Sequence, residues 1–410
     1  MKILIVNFSD LQGGAARAAF RLHTSLLNEN IDSKMFVSLK NGDNFKVLTQ
    51  QSNSQKLLVK FKAIFNTFPL KRYKKSALFS PSFAPSLGVV KAINKLNPDI
   101  VHLHWVNAGM FRIEELNKIK APIVWSLHDM WAFTGGCHYS SDCLGYMKSC
   151  GSCPILNSSV ENDISRKLLK RKEKTFSKLS NITIIGLSKW LAVCAKQSTL
   201  FKDKRVVNLP NPIDTDVFKP FDKDKARELW KLPKDKKLVL FGSMSATSDV
   251  RKGFIELSSA IKELDNDNVE LLVFGSSKPK NLYKFGFKTH YLGQLNDDTS
   301  LVTLYNVADV MVVPSLQENL SNVIMESLAC GTPVVAFNIG GNSDMIDHQK
   351  NGYLAKPYLA TDLANGINWV INNNTANEVS QKAREKGIEN FSNAVVAKKY
   401  IQLYTEILKK

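Results

Sequence analysis

The chain has 410 residues, 44% of them hydrophobic and 22% charged, with 21 Gly and 14 Pro, which corresponds to two or three domains' worth of core. That composition excludes a disordered or fibrous chain, and no apolar run approaches the roughly 20 residues of a membrane-spanning helix. The formal net charge of +18 lies wholly in the first half: residues 1–205 carry 31 Lys and Arg against 13 Asp and Glu, and residues 206–410 carry 24 against 24. The asymmetry points to an anionic partner for one domain, unless the basic surface serves solubility alone.

From the start of the chain, the apolar run Ile3–Phe8 passes into Ser9-Asp10 and Gly13-Gly14 without a small-residue cleavage site. It therefore reads as a strand and not as a signal peptide, and a cytoplasmic protein is expected. Apolar runs at Met35–Ser38, Ile100–Trp105, Ile123–Leu127 and Ile182–Leu187 read as further strands buried on both faces. Between them, Ala15–Leu27 and Arg112–Ile119 have helical spacing. This is βαβ order and predicts a parallel sheet. The periodicity stops at Leu209–Pro220, where three prolines suit a linker. A second alternating series follows, with strands at Leu238–Gly242, Leu271–Gly275, Tyr291–Leu292, Val310–Val313 and Val334–Phe337. Asn393–Leu408 closes the chain as an amphipathic helix. The expected organisation is an α/β fold of two doubly wound, Rossmann-like domains, 1–205 and 206–392, facing a cleft at the carboxyl ends of their strands. The helix 393–410 is expected to return to the first domain.

Two segments of the first half stand out. Lys56–Lys75 carries seven basic residues among Phe and Leu, and no acidic residue occurs between Asp43 and Asp99. A basic amphipathic segment suits the surface of an anionic membrane. The same pattern also fits a helix whose apolar side is buried and whose lysines face water. Further on, Cys137, Cys143, Cys150 and Cys153 fall within a loop of 17 residues. Four thiols so close in a reducing compartment suggest a structural zinc site, with His138 as a substitute ligand. A disulfide-bonded or simply reduced loop and a redox site are the alternatives. Cys194 and Cys330 fall in expected helices and read as core.

The strongest motif runs from Pro314 to Val335. Glu318 follows an expected strand, a helix starts near Ser321, Glu326 lies eight residues after Glu318, and Gly331-Thr332-Pro333 leads into the next strand. The free peptide N–H groups of a helix start favour phosphate, and carboxylates accept hydrogen bonds from sugar or ribose hydroxyls. Gly13-Gly14 opens a helix without completing a dinucleotide fingerprint, so no nicotinamide or flavin is indicated.

This pattern of two Glu followed by Ala-Cys-Gly-Thr-Pro-Val-Val resembles that of the retaining glycosyltransferases of family 4, which have the GT-B fold. Matches in the same order run along nearly the whole chain: Gly13-Gly14, Pro98-Asp99-Ile100-Val101-His102, Ser126-Leu127-His128-Asp129, Pro210-Asn211, Arg251-Lys252-Gly253, Gly340-Gly341 and Asn351-Gly352-Tyr353. The resemblance implies that Glu318 contacts donor-sugar hydroxyls and that Glu326 holds the nucleotide ribose. It implies that peptide groups at Leu320, Ser321 and Asn322 meet the diphosphate, and that Lys252 neutralises the departing diphosphate. His128 would be the histidine near the reacting sugar, and Gly13 and Gly14 would admit donor phosphate or acceptor. Two departures stand out: Ser243 follows Gly242 where an Arg is usual, leaving that task to Arg251, and Asn319 follows Glu318 where Gly is usual.

The reaction so implied moves a sugar from a UDP- or GDP-sugar to a saccharide acceptor, lipid-linked in many relatives, with retention. No Asp nucleophile and no Asp-x-Asp pair stand at the expected positions, so a front-face, metal-independent route is expected, without a catalytic cofactor. A role in capsule, exopolysaccharide or O-antigen synthesis at the inner face of the cytoplasmic membrane follows from the same resemblance. The competing readings are another GT-B sugar-nucleotide enzyme of epimerase type and a catalytically silent scaffold. A nucleic-acid partner is not expected, since no helix-turn-helix, zinc-finger or RNA-platform motif is present.

Overall fold

The structure, a computed structural model, describes residues 1–50, 53–242, 249–264, 268–275, 288–295, 297–374 and 377–409. Within these the chain divides into two compact units, Met1–Asn211 with Val396–Lys410, and Pro212–Val395.

In the first unit the elements are β1 (Lys2–Ser9), α1 (Gly14–Asn28), β2 (Asp32–Leu39), β3 (Val47–Leu48), α2 (Asn53–Thr67), α3 (Val89–Lys95), β4 (Ile100–Leu103), β5 (Ile123–Leu127), α4 (Ile164–Phe176), β6 (Ile182–Gly186), α5 (Lys189–Gln197) and β7 (Arg205–Asn208). The strands form one parallel sheet in the order β3-β2-β1-β4-β5-β6-β7. Strands β4, β5 and β6 are buried along their whole length, as expected when helices cover both faces, and this is why they read as mainly apolar runs. Helix α1 buries Ala16, Ala19, Leu22 and Leu26 on the sheet side.

The second unit contains α6 (Lys223–Leu229), β8 (Lys237–Gly242), α7 (Phe254–Lys262), β9 (Val269–Phe274), β10 (Thr289–Tyr291), α8 (Asp298–Val307), β11 (Val310–Val313), α9 (Asn322–Ala329), β12 (Val334–Phe337), α10 (Asn342–Met345), β13 (Gly352–Ala355), α11 (Ala360–Asn373) and α12 (Glu378–Phe391), and α13 (Asn393–Leu408) follows. Its sheet is parallel in the order β10-β9-β8-β11-β12-β13. Each sheet reverses its strand order once, at β1/β4 and at β8/β11, and such switch points are where open α/β sheets bind ligands.

Several elements differ from the sequence reading. The chain passes between units after Asn211 and not at 205, because Arg205–Asn208 adds to the first sheet beside β6. The proline-rich stretch is not a loose linker. Ile213 and Phe218 are fully buried, the Ile213 N–H donates to the Phe391 carbonyl at 2.7 Å, and Arg384 donates to the carbonyls of Thr215 and Phe218 at 2.9 and 2.7 Å. The α-helix expected at 112–119 is a 3-10 turn, Ile113–Lys118. There the Glu115 carboxylate turns away to accept from the peptide N–H groups of Arg112 and Ser86, and β5 must begin only a few residues later.

The final helix seals the first sheet with a buried polar cluster. Tyr400 and Tyr404 are completely buried. The Tyr404 hydroxyl pairs with His102 Nδ1 at 2.7 Å, while His102 Nε2 pairs with the Ser126 hydroxyl at 2.8 Å. Tyr404→Ala would leave a cavity and orphan a buried ring nitrogen, costing about 3–5 kcal/mol. A denaturant titration followed by tryptophan fluorescence checks this; an unchanged midpoint would contradict the packing described.

Candidate active site

In the second unit the β11–α9 loop carries the expected carboxylate. Strand β11 ends at Val313 beside β8, so the loop emerges at the switch point. Two glycines fix its path. Gly253 has φ +72°, and a Cβ there would stand 1.8 Å from the Pro314 carbonyl oxygen; Gly340 has φ +52°, and a Cβ there would stand 1.8 Å from the Glu318 carbonyl oxygen. Only glycine permits either approach. The Leu316 N–H further donates to the Arg251 carbonyl at 2.8 Å. As a result Lys252, on the turn before α7, reaches Glu318: Nζ lies 3.1 Å from Oε2. The Asn319 N–H lies 3.2 Å from Glu318 Oε1. Arg251 is paired with Asp249 instead, Nη2 to Oδ2 at 2.6 Å, which holds the Asp249 carboxyl below its usual range against the effect of burial. Ser243 lies outside the described residues.

Helix α9 starts behind this loop. Ser321 is its N-cap residue and makes no side-chain cap, and Leu320 and Ser321 are buried. The peptide groups at Ser321 and Asn322 form the positive end of the helix. One turn further, Glu326 is buried, and the Tyr305 hydroxyl donates to its Oε2 at 2.7 Å. Tyr305 was not expected. It lies on α8 and looks like one more apolar position there, and no local signal links it to a carboxylate 21 residues away.

In the first unit the loops after β1, β4 and β5 meet. Gly13 and Gly14 open α1. Asp10 accepts from the N–H groups of Asn41 and Gly42 at 3.0 and 2.8 Å. His128 Nε2 lies 2.9 Å from Nδ1 of His104. Burial lowers the His128 pKa to about 4, with Asp129 acting in the opposite direction, so the ring is a neutral hydrogen-bonding group near pH 7. Burial also lowers His102 to about 3 and holds His104 well below its ordinary value. Asp129 accepts from the Trp131 N–H at 2.8 Å and the Trp105 indole at 3.2 Å, and pairs with His138 Nδ1 at 2.6 Å. Burial pushes the Asp129 carboxyl up, but His138 and the Trp131 N–H outweigh it and hold the group below its usual range. His138 Nε2 pairs with the Ser80 hydroxyl at 2.8 Å. Both nitrogens of His138 are thus engaged, so the substitute-ligand role expected for it does not fit this arrangement.

The four loop cysteines are free thiols and line one small cavity. Among the described residues no group of three or more His, Cys, Asp or Glu side chains is placed so that it could hold a metal ion.

The basic segment shows which side of its helix is covered. Phe61, Ile64, Phe65 and Phe68 are 59 to 67% exposed, at a spacing that places them on one face of α2 and the turn after it. On the other side Asn66 is buried, and its Oδ1 accepts from the Phe83 and Ala84 N–H groups. The reading in which the apolar side is buried fails for these four residues. The side chains of Lys56 and Lys60 lie outside the described residues.

Two family comparisons match this organisation. Residues 222–389 match the family Glycosyl transferases group 1, and residues 12–217 match Glycosyltransferase Family 4. The fold and its site thus define a GT-B glycosyltransferase. The chain belongs to Glycosyltransferase Family 4. Among relatives, it is 24% identical to the Escherichia coli K12 protein WcaC, a glycosyl transferase provisionally assigned to colanic acid biosynthesis, over 99% of this chain and 100% of that one. It is 28% identical to the uncharacterized glycosyltransferase MJ1607 of Methanocaldococcus jannaschii, over 74% of this chain and 82% of that one. Among solved structures, the sucrose-phosphate synthase of Thermosynechococcus elongatus superposes with a TM-score of 0.72 at 19% identity, covering 100% of this chain and 99% of that chain.

The buried histidines make a sign-definite prediction. His102 and His128 have lowered pKa values in the folded chain against an ordinary 6.5, so between about pH 7 and 4 the unfolded state binds more protons. Stability is therefore fullest above pH 6.5 and falls as the pH drops towards 4. The denaturation midpoint is expected to be lower at pH 5 than at pH 7, with a shallower pH slope in His102→Gln. An identical slope in the variant would contradict the assignment.

Proposed function

We propose that this enzyme transfers a hexosyl or N-acetylhexosaminyl group from a UDP- or GDP-sugar to a glycan or lipid-linked saccharide, with retention at the anomeric carbon and without a metal ion, in the synthesis of a surface polysaccharide. The observation that carries this reading is the Lys252 ammonium, 3.1 Å from the Glu318 carboxylate, on a loop that leads into the start of α9 with Glu326 one turn further on. In the proposed roles, Glu318 accepts from hydroxyls of the donor sugar and Glu326, oriented by Tyr305, accepts from the ribose. The N–H groups at Leu320, Ser321 and Asn322 take the diphosphate, and Arg251, its guanidinium held by Asp249, leaves charge neutralisation to Lys252. The first unit is assigned the acceptor, with neutral His128 bonding a sugar hydroxyl and Gly13-Gly14 leaving space for phosphate or acceptor.

The step consists of one bond broken and one formed on the same face of the sugar. The anomeric carbon leaves the β-phosphate oxygen and bonds the acceptor oxygen, whose proton passes to the departing phosphate. Negative charge grows on the diphosphate as it leaves, and Lys252 meets that charge when it is greatest, so it lowers the barrier more than it tightens substrate binding. A capsule-type, exopolysaccharide or O-antigen product is supported by the full-length likeness to WcaC.

The Lys252 and Glu318 side chains are 25% and 12% exposed, so the catalytic and folding roles of the pair are separated by measuring both. Lys252→Met is expected to lower kcat by about 10²–10³-fold with little change in the thermal midpoint. Full activity in that variant with the right donor and acceptor would refute the role; equal losses of activity and folding would make Lys252 structural.

We further place the enzyme at the inner face of the cytoplasmic membrane, through the apolar ridge Phe61, Ile64, Phe65 and Phe68 and the exposed Lys71, Arg72, Lys74 and Lys75. No helix among the described residues is long and apolar enough to cross a membrane, so contact would be peripheral. Each base near an anionic surface adds about 1 kcal/mol. Co-sedimentation with phosphatidylglycerol vesicles is expected at low salt and should fall with salt and in Phe61→Ser/Phe65→Ser. Equal binding to neutral vesicles, or none to either, would exclude this surface.

A further inference from the structure

Residues 137–163 contain neither a strand nor an α-helix, only 3-10 turns, and they pack beside a small core that includes Cys137, Cys153, Ile155 and Leu156. A stretch of this length with so little regular structure needs another source of order. Cys137, Cys143, Cys150 and Cys153 all open onto one cavity of about 20 Å³. No carboxylate and no imidazole lines it, and the neighbouring His138 is taken by Asp129 and Ser80. Beside the hydroxyl residues Thr134, Ser140, Tyr146 and Ser165, the four sulfurs are the metal-binding side chains that line it, and thiolate sulfur selects zinc among the common divalent ions.

The Gly145 N–H donates to Cys143 Sγ at 3.4 Å, while burial holds the Cys137, Cys150 and Cys153 thiols above their ordinary range. Arg166 Nε donates to the Cys150 carbonyl at 3.0 Å, a polar contact that ties the loop to α4.

We infer that Cys137, Cys143, Cys150 and Cys153 bind one structural Zn²⁺ that staples this loop to the first unit. The four sulfurs do not yet form a coordination shell as they stand; the ion draws them in towards the cavity, and each thiol releases its proton to solvent on binding. The site is closed to substrate, since all four positions are filled by protein. It owes nothing to the reading of the donor site, so failure of either leaves the other intact.

The test is metal analysis of the whole protein purified without chelator. About one equivalent of zinc per chain is expected, falling below about a tenth of an equivalent in Cys143→Ser and in Cys150→Ser but kept in Cys330→Ala. Chelation should lower the thermal midpoint of the wild type, and added Zn²⁺ should restore it. If the Ser variants fail to fold, cobalt reconstitution of the wild type replaces them, the expected result being sulfur-to-cobalt charge-transfer bands. Wild-type protein without zinc, two disulfides by non-reducing mass spectrometry, absent cobalt bands, or zinc retained in both Ser variants would each overturn the assignment.

Discussion

The close approach of two glycines to the β11–α9 loop is the constraint from which the rest of the second unit's site follows. Side chains at Gly253 and Gly340 would collide with the carbonyl oxygens of Pro314 and Glu318. Three loops that are far apart in sequence can therefore pack backbone against backbone at the end of β11. Lys252 is placed by this packing, since it immediately precedes Gly253 and its ammonium arrives 3.1 Å from Glu318. A charge that must act on a developing phosphate is most effective when it is already in place, and rigid backbone contact provides that placement better than a long side chain on a free loop.

The first unit solves a different problem. Its switch-point loops converge on histidines that burial keeps neutral. The C-terminal helix closes the layer beneath them through Tyr404 and His102. A neutral His128, its Nε2 paired with His104, adds no charge beside a hydroxyl-rich ligand. Positive charge is kept for elsewhere, on the exposed bases that follow α2.

Much of this was legible in the residues. Both sheets are parallel and buried on two faces, so β1, β4, β5, β8 and β11 appear as mainly apolar runs, and the loop carrying Glu318 could be placed at a strand end. Short edge strands were not legible: β3 and β7 bury little, and their sequences do not differ from loops. Strand β13 begins at Gly352, a residue that weakens any strand signal. The prolines at 210, 212 and 220 signalled a break, but the buried Ile213 and Phe218 and the hydrogen bonds from Arg384 could not be foreseen. Tyr305 escaped notice because its partner Glu326 is distant in sequence, and His104 because its meaning depends on which strand lies beside β4. Local periodicity carries fold class well and carries long-range side-chain pairing hardly at all.

The account stands or falls on the second unit binding a nucleoside diphosphate at the β11–α9 loop. The most direct test is calorimetric titration of the whole protein with UDP, GDP, ADP and CDP, repeated with Lys252→Met and Glu326→Ala after their folded state has been verified by circular dichroism. The account predicts saturable binding of one nucleoside diphosphate, weakened at least about tenfold by either change, or about 1.4 kcal/mol. Binding that is unaffected by both changes, or no binding of any nucleotide to the folded protein, would contradict it.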